Sequence, residues 1–205
     1  MNSYWNERET VELLEELVNT ASPSGYTSAI MKKMGDYLKQ LGISYQKTNK
    51  GAIIVTFMGE NNEQHRLLTA HTDTLGAIVK EIKPSGRLKL GMIGGFNWNA
   101  VEGEYCTIHT AEGKTVRGTI LMHETTVHVY RGASDIKRDE NHIEVRIDEK
   151  VLNVQDTKNL GIEVGDFVSF DVRFEETASG FIKSRHLDDK ASTTLLLQLM
   201  KGLKE

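Results

Sequence analysis

The hydrophobic period of the chain changes twice, and this constrains its fold more than any other feature. Apolar residues recur at helical spacing in the first forty residues and again near the C-terminus. Between residues 77 and 174, short apolar runs are separated by turn sequences such as Pro84-Ser85-Gly86 and Glu112-Gly113-Lys114. Such spacing is typical of a compact β-barrel or sandwich. The order of patterns therefore predicts a β-domain inserted into a mixed helix and strand layer.

Two helices are predicted before residue 43. Asn6 suits the N-cap of the first, and Gly42 is expected to end the second. Apolar runs at residues 43–47, 52–57 and 66–70 predict strands of a helix-covered sheet. Near the C-terminus, the spacing of five residues predicts an amphipathic helix: Ala191, Leu195, Leu196, Leu199 and Met200.

The predicted fold class is α/β, with part of a helix-covered sheet and an inserted small β-barrel. Residues 1–76 and 175–205 form the discontinuous α/β domain in this prediction, and residues 77–174 form the insertion. Only a segment near Val154–Leu160 has a helical pattern within the insertion.

Composition excludes several classes of function. The net charge of −4 and the absence of a basic run with interleaved aromatics give no reason to expect nucleic acid or an anionic membrane as a partner. No stretch approaches the roughly 18 consecutive apolar residues of a membrane span. The N-terminus is polar and unlike a signal peptide. Cys106 is the single cysteine and is expected to be buried in a strand, so the cytoplasm is the expected compartment.

His71 and Asp73 are the first candidate site residues. They follow the apolar run Leu67-Leu68-Thr69-Ala70, and strand ends of this kind open into the ligand crevice of α/β folds. A neutral imidazole there is a good ligand for zinc or cobalt. Asp73 is close enough in sequence to hydrogen-bond the other ring nitrogen. The alternative is a structural histidine bonded to a loop carbonyl.

The pair Asp188-Asp189 is the second candidate. One interpretation is an N-cap and a favourable charge at the start of the C-terminal helix. The other is that Asp188 bridges two cations about 3.5–4 Å apart, as in two-metal hydrolases. His123 and His128 are expected on strands of the insertion, without the spacing of a metalloprotease helix, and His186 adjoins the acid pair.

Four motifs in order make the chain resemble the M42 metallo-aminopeptidases, the group that includes tetrahedral, glutamyl and endoglucanase-like members. The resemblance extends over essentially all 205 residues. The motifs that carry it are Ser22-Pro23-Ser24-Gly25, Ala70-His71-Thr72-Asp73-Thr74-Leu75-Gly76, Asn159-Leu160-Gly161-Ile162-Glu163-Val164-Gly165-Asp166 and Ser184-Arg185-His186-Leu187-Asp188-Asp189-Lys190.

The resemblance implies a dinuclear aminopeptidase that removes N-terminal residues from peptides. His71 would bind one metal, Asp188 would bridge two, and Asp73 would support His71 as the catalytic residue. Two divalent ions are implied, with zinc, cobalt and manganese all open. The β-insertion would mediate homo-oligomers, from dimers up to dodecamers.

The resemblance also implies that the general-base glutamate and further ligands follow the helix near residue 205. We therefore expect no aminopeptidase activity from this polypeptide alone. The alternatives are a non-catalytic assembly module of such a peptidase and a related peptidase or deacylase of the M20 or M28 type. The β-rich segment directly after His71 and Asp73 favours M42.

Overall fold

A computed structural model describes residues 6–61 and 63–204, which form two compact units. The discontinuous unit comprises the chain up to Thr74 and from Val172 onward, and the barrel unit comprises Leu75–Asp171. A single turn of 3₁₀ helix lies at Trp98–Ala100. The other elements, in chain order, are α1 (Glu7–Asn19), α2 (Ser28–Gln40), β1 (Gln46–Lys47), β2 (Ile53–Ile54), β3 (Gly76–Ile82), β4 (Leu88–Ile93), β5 (Tyr105–His109), β6 (Thr115–Met122), β7 (Ile143–Ile147), α3 (Val154–Asn159), β8 (Phe167–Phe170), β9 (Glu175–Glu176), β10 (Ile182–Lys183) and α4 (Leu187–Lys204).

The barrel unit is a closed antiparallel barrel with the strand order β3-β4-β7-β6-β5-β8. It closes because β8 pairs with both β5 and β3, so none of the six strands has a free edge. Side chains that alternate along the strands fill the interior, including Leu90, Ile120 and Val145, each with no exposed surface. The mixed α/β class with a β-barrel is confirmed, and so is the short helix α3.

Close packing in the barrel explains a glycine within β6. A Cβ atom at Gly118 would lie 3.2 Å from the Arg146 carbonyl oxygen and would meet the Val145 side chain.

The buried Glu144 carboxylate accepts hydrogen bonds from Lys83 Nζ at 2.7 Å and from Arg87 at 2.5 Å. The buried charge of Glu144 is therefore neutralised by two cations.

The discontinuous unit has a smaller core made by α1, α2 and α4. Leu17, Ile30 and Leu38 have no exposed surface and pack with Leu197 of α4. Asn6 caps α1, since its side-chain oxygen accepts the Glu9 backbone N–H at 3.1 Å. These contacts confirm both N-terminal helices.

Gly42 ends α2 as predicted. Its φ of +64° lies in the left-handed region that favours glycine. The Ile43 N–H then donates to the Leu38 carbonyl at 2.8 Å, which satisfies one of the last carbonyls of the helix.

The predicted strands of the discontinuous unit are much shorter than expected. Only β1 and β2 form between residues 43 and 57, and the prediction of a strand at Arg66–Ala70 is wrong. The physical reason is that a strand needs a hydrogen-bonding partner. Residues 65–70 form no backbone hydrogen bond with any described residue, and Leu67 and Leu68 are 85% and 62% exposed.

The predicted C-terminal helix is present as α4, and its apolar stripe is only partly buried. Leu195 and Leu199, two residues of the predicted apolar stripe, are 50% and 44% exposed. The buried face carries Lys190, Thr194 and Leu197, because this is the side that packs against α1.

In the described residues, no helix is both long and apolar enough to cross a membrane.

Candidate metal site

Two chain segments hold His71 in place within the discontinuous unit. The Ser22 hydroxyl, which is fully buried, donates to the Thr72 carbonyl at 2.6 Å, and the Thr74 N–H donates to the Ser22 carbonyl at 2.8 Å. From α4, the Thr193 hydroxyl donates to the His71 carbonyl at 3.1 Å. The Ser-Pro-Ser-Gly segment and α4 thus fix the backbone that carries the histidine, although no strand precedes it.

The fold brings His71 and Asp188 together across 117 residues of sequence. His71 Nε2 lies 3.1 Å from Asp188 Oδ1, and both side chains are more than half exposed. Two ligands of one zinc ion, each about 2.0–2.2 Å from it, lie about 2.8–3.6 Å apart at ordinary bond angles. The separation of these two atoms fits a shared divalent cation.

Asp73 contacts the opposite nitrogen of the imidazole. His71 Nδ1 is 3.2 Å from the Asp73 carbonyl oxygen and 3.2 Å from its carboxylate. The Ser24 hydroxyl donates to the second carboxylate oxygen of Asp73 at 2.5 Å. A proton held on Nδ1 in this way leaves Nε2 as the nitrogen that can bind a cation.

The electrostatics of His71 agree with this geometry. Its burial lowers the pKa, but the hydrogen bond to the Asp73 backbone and the charges of Asp73 and Asp188 outweigh it, so the pKa is raised. The protonated ring can donate to an acidic group on each side. A divalent cation between His71 and Asp188 would take the place of the Nε2 proton, so the donor set fits a metal.

Lys190 is a residue of the site that the sequence analysis missed. It has no exposed surface, its burial lowers its pKa to about 8, and its ammonium donates to the Thr20 carbonyl at 2.7 Å. Thr20 caps the C-terminal end of α1. Lys190 therefore ties the start of α4, and with it Asp188, to α1. The only signal in the sequence was its place directly after the acid pair.

The acid pair is not an ordinary helix N-cap. Asp188 and Asp189 have non-helical backbone angles, so regular helical geometry begins at Lys190, and the peptide bond between the two acids is cis. The Asp188 side chain is 94% exposed and contacts His71. The contact between Asp188 and His71 therefore favours the metal-site interpretation of the pair.

His186 precedes the acid pair and has a left-handed backbone with a φ of 64°. Its burial, and then the charges of Lys190 and Arg185, lower its pKa to about 4. The ring is therefore neutral at physiological pH.

A cleft of about 560 Å³ opens beside the site within the discontinuous unit. His71 and Asp73 line one part of its wall, together with Ser24. The rest is largely apolar and includes Met31, Met34, Ile53, Val55, Leu67, Leu68, Leu196 and Met200.

Other titratable groups do not gather into a site of this kind. The prediction of strand positions for His123 and His128 is wrong, because both lie in the segment after β6. His123 stacks on His142 at 5.4 Å between ring centroids. Cys106 is buried in β5 as predicted, and its burial raises its pKa to about 12. Within the described residues, no three His, Cys, Asp or Glu side chains are grouped to hold a metal.

Comparison with known proteins decides the family. The profile of the M42 glutamyl aminopeptidase family matches residues 51–205. The chain belongs to the M42 family. It is 54% identical over 197 residues to the candidate aminopeptidase YhfE of Bacillus subtilis (strain 168), which covers 96% of the chain and 57% of YhfE.

More distant relatives match the chain in sequence or in fold. The glutamyl aminopeptidase of Lactococcus lactis subsp. cremoris (strain MG1363) is 23% identical, over 96% of the chain and 56% of the relative. The solved TET1 peptidase of Pyrococcus horikoshii is 22% identical with a TM-score of 0.80, over 94% of the chain and 56% of that structure. The chain therefore spans little more than half the length of the relatives it matches.

Proposed function

We propose that this chain carries the first half of a dinuclear metal site that hydrolyses the N-terminal peptide bond of peptides. The observation that carries the proposal is the 3.1 Å contact between His71 Nε2 and Asp188 Oδ1. Membership of the M42 family supports the aminopeptidase reaction, because the family is named for it.

Each residue has a distinct role in this proposal. His71, through Nε2, and Asp188, through its carboxylate, would be the residues of this chain that hold the divalent cations. Asp73 accepts a hydrogen bond from the Nδ1–H of His71, and the Ser24 hydroxyl donates a hydrogen bond to the Asp73 carboxylate. When bound, the cations supply Lewis acidity and an activated water for hydrolysis. Imidazole and carboxylate ligands suit zinc, cobalt and manganese, so the ligand set is compatible with all three.

The chain alone is expected to bind metal weakly and to have no peptidase activity. Two ligands are fewer than the three protein ligands of a catalytic zinc site. No further metal-binding group stands within reach in the part of the chain that the structure describes. Robust metal-dependent release of N-terminal residues by the purified 205-residue chain would contradict this proposal.

Metal titration of the purified chain tests the site directly. We expect His71→Ala and Asp188→Ala each to abolish the weak zinc or cobalt binding at this site, and Asp73→Ala to weaken it by about 10-fold, since ligands matter more than their supporting groups. Isothermal titration calorimetry measures the affinity. His128→Ala, a change at an exposed histidine in the barrel unit, is the matched control and should leave the affinity unchanged. Equal losses in all four variants would contradict the assignment.

We also propose that the barrel unit mediates homo-oligomerisation. The TET1 peptidase of Pyrococcus horikoshii can assemble into a tetrahedron or a large octahedral shell. Several large apolar side chains of the barrel unit are exposed, including Tyr105, Val129, Leu152 and Val164. A non-catalytic assembly role is the second candidate, because the barrel is closed while the metal site has two ligands. Light scattering that shows a monomer at high concentration would exclude it.

A further inference from the structure

Two histidines of the barrel unit lie opposite each other just beyond the paired part of β6 and β7. The ladder of these strands ends at the pair Met122 and Ile143. His123 and His142 are the next pair outward, and the His123 N–H donates to the His142 carbonyl at 2.9 Å. Residues directly opposite on antiparallel strands present their side chains on the same face, with Cβ atoms about 4.5–5.5 Å apart. The two rings accordingly stack, with centroids 5.4 Å apart and planes inclined by 21°.

The hydrogen bonds of both rings select the same nitrogen for a metal. His123 Nδ1 lies 3.1 Å from the His142 carbonyl oxygen, and His142 Nδ1 lies 2.7 Å from Asp139 Oδ1. A carbonyl or carboxylate oxygen accepts, so in each neutral ring Nδ1 carries the proton and Nε2 carries the lone pair. The side chains are 34% and 36% exposed, so a cation in solution can reach them.

A carboxylate adjoins each of the two rings. Asp139 accepts the Nδ1 proton of His142, which is the contact by which a carboxylate orients a metal-binding imidazole and raises its basicity. The backbone hydrogen bond from Asn141, followed by the bond from His142, lowers the pKa of Asp139. On the other ring, His123 Nε2 lies 3.8 Å from Glu124 Oε1. Both of these atoms are acceptors when the ring is neutral, so their proximity favours a cation beside them.

We propose that His123 and His142 form a transition-metal site in the barrel unit, separate from His71 and Asp188. The two Nε2 atoms are its protein ligands, and Asp139 orients His142. Because no three His, Cys, Asp or Glu side chains are grouped to hold a metal in the part of the chain that the structure describes, water completes the coordination. Copper(II) is the favoured occupant, since imidazole suits it and a given nitrogen site binds it more tightly than cobalt, nickel or zinc.

The site has a structural consequence for the segment that connects β6 to β7. A metal bound to both histidines joins the two ends of residues 124–141. Closing a loop in this way restricts the unfolded chain, and a ligand that binds only the folded state stabilises it. At a copper concentration roughly 100 times the Kd, we expect the Tm of the barrel unit to rise by about 5 °C or more.

The test uses the full chain with His71→Ala, which removes a ligand of the first proposed site and leaves the barrel unchanged. We expect this chain to bind one copper(II) ion in calorimetric titration, with two nitrogen ligands in its electron paramagnetic resonance spectrum. The two proposals then fail separately. Persistent zinc or cobalt binding at the first site would count against His71, whereas absent copper binding would count against the histidine pair.

The decisive variants are His123→Ala and His142→Ala in the His71→Ala chain. We expect each to lower the copper(II) affinity by about 100-fold and to remove one nitrogen ligand from the spectrum. Asp139→Asn should lower the affinity by about 10-fold, because it weakens the group that orients a ligand. His128→Ala, at an exposed histidine of the same segment, is the matched control and should change neither. Circular dichroism without metal should be the same for all variants, which separates loss of a ligand from loss of the fold.

Three results would overturn the inference. The first is that the His71→Ala chain binds no copper(II), or binds it without nitrogen ligands. The second is that folded His123→Ala and His142→Ala variants keep the affinity and the spectrum of their parent. The third is that His128→Ala loses as much affinity as they do, which would mean that copper(II) binds exposed histidines in general.

Discussion

The barrel unit and the discontinuous unit are of similar length but differ in how completely they bury their backbone and apolar groups. Among the described residues, sixteen buried hydrophobic residues form the barrel core and six form the core of the discontinuous unit. Every strand of the barrel has two partners, whereas β1, β2, β9 and β10 pair only as isolated two-stranded pieces. Closure within the chain thus stabilises one unit, and the other leaves its candidate site beside exposed apolar surface.

The largest expected effect is on packing. Leu90 has no exposed surface in the barrel, so Leu90→Ala should lower the free energy of unfolding by about 2–5 kcal/mol. Leu67 is 85% exposed, so Leu67→Ala should change it by less than about 0.5 kcal/mol. Urea unfolding followed by the fluorescence of Trp98, a barrel core residue, measures the first change. Circular dichroism of the helices measures the second, and equal losses would contradict the comparison.

The stability of each unit should also depend on pH through a buried histidine of its own. The pKa of His186 is about 4 in the folded chain and 6.5 as its ordinary value, so the unfolded chain binds more protons between these pH values. The free energy of unfolding should therefore fall as pH decreases from about 6.5 to 4, by at most about 3 kcal/mol. His186→Gln should remove this dependence, as measured by hydrogen exchange in α4 with a chelator present.

His109 gives the barrel a dependence of the same sign, because burial lowers its pKa and its protonation below pH 6.5 favours the unfolded chain. A second titrating group of the barrel is Glu144. Burial alone would raise the pKa of Glu144, but Lys83 and Arg87 outweigh it, so the pKa lies below its ordinary value of 4.5. The stability that this carboxylate contributes is therefore present above pH 4.5 and is lost as pH falls through the lowered pKa. The amide protection factors of β6 and β7 in a His109→Gln variant should therefore be insensitive to pH between 6.5 and 4.5. A variant barrel that opened in step with α4 would contradict the separation of the units.

A smaller effect is expected at the segment that positions His71. Ser22→Ala removes the buried hydrogen bond to the Thr72 carbonyl and should destabilise the discontinuous unit by about 1–3 kcal/mol. The metal affinity should also fall, because the backbone next to His71 loses a support. Ser179→Ala, at a hydroxyl in an exposed turn, is the matched control and should change neither stability nor affinity.

The sequence by itself determined the local elements and the class of the fold. The helical period of α1, the Asn6 cap and Gly42 indicated where helices begin and end, because these signals act within a few residues. The short apolar runs and turn sequences of residues 77–174 were enough to predict a compact β-barrel or sandwich, and the strand pairing decided that it is a barrel. His71, Asp73 and Asp188 could be chosen as candidates because their chemistry is local.

Only the tertiary structure decided which of these elements are paired and which face each presents. The apolar run at Arg66–Ala70 reads as a buried strand in sequence, but a strand depends on a partner elsewhere. The stripe Leu195 and Leu199 is equally apolar, and only the packing of α4 on α1 showed that the opposite face is buried. The 3.1 Å contact between His71 and Asp188 likewise joins residues 117 positions apart, and this depends on how the whole unit packs.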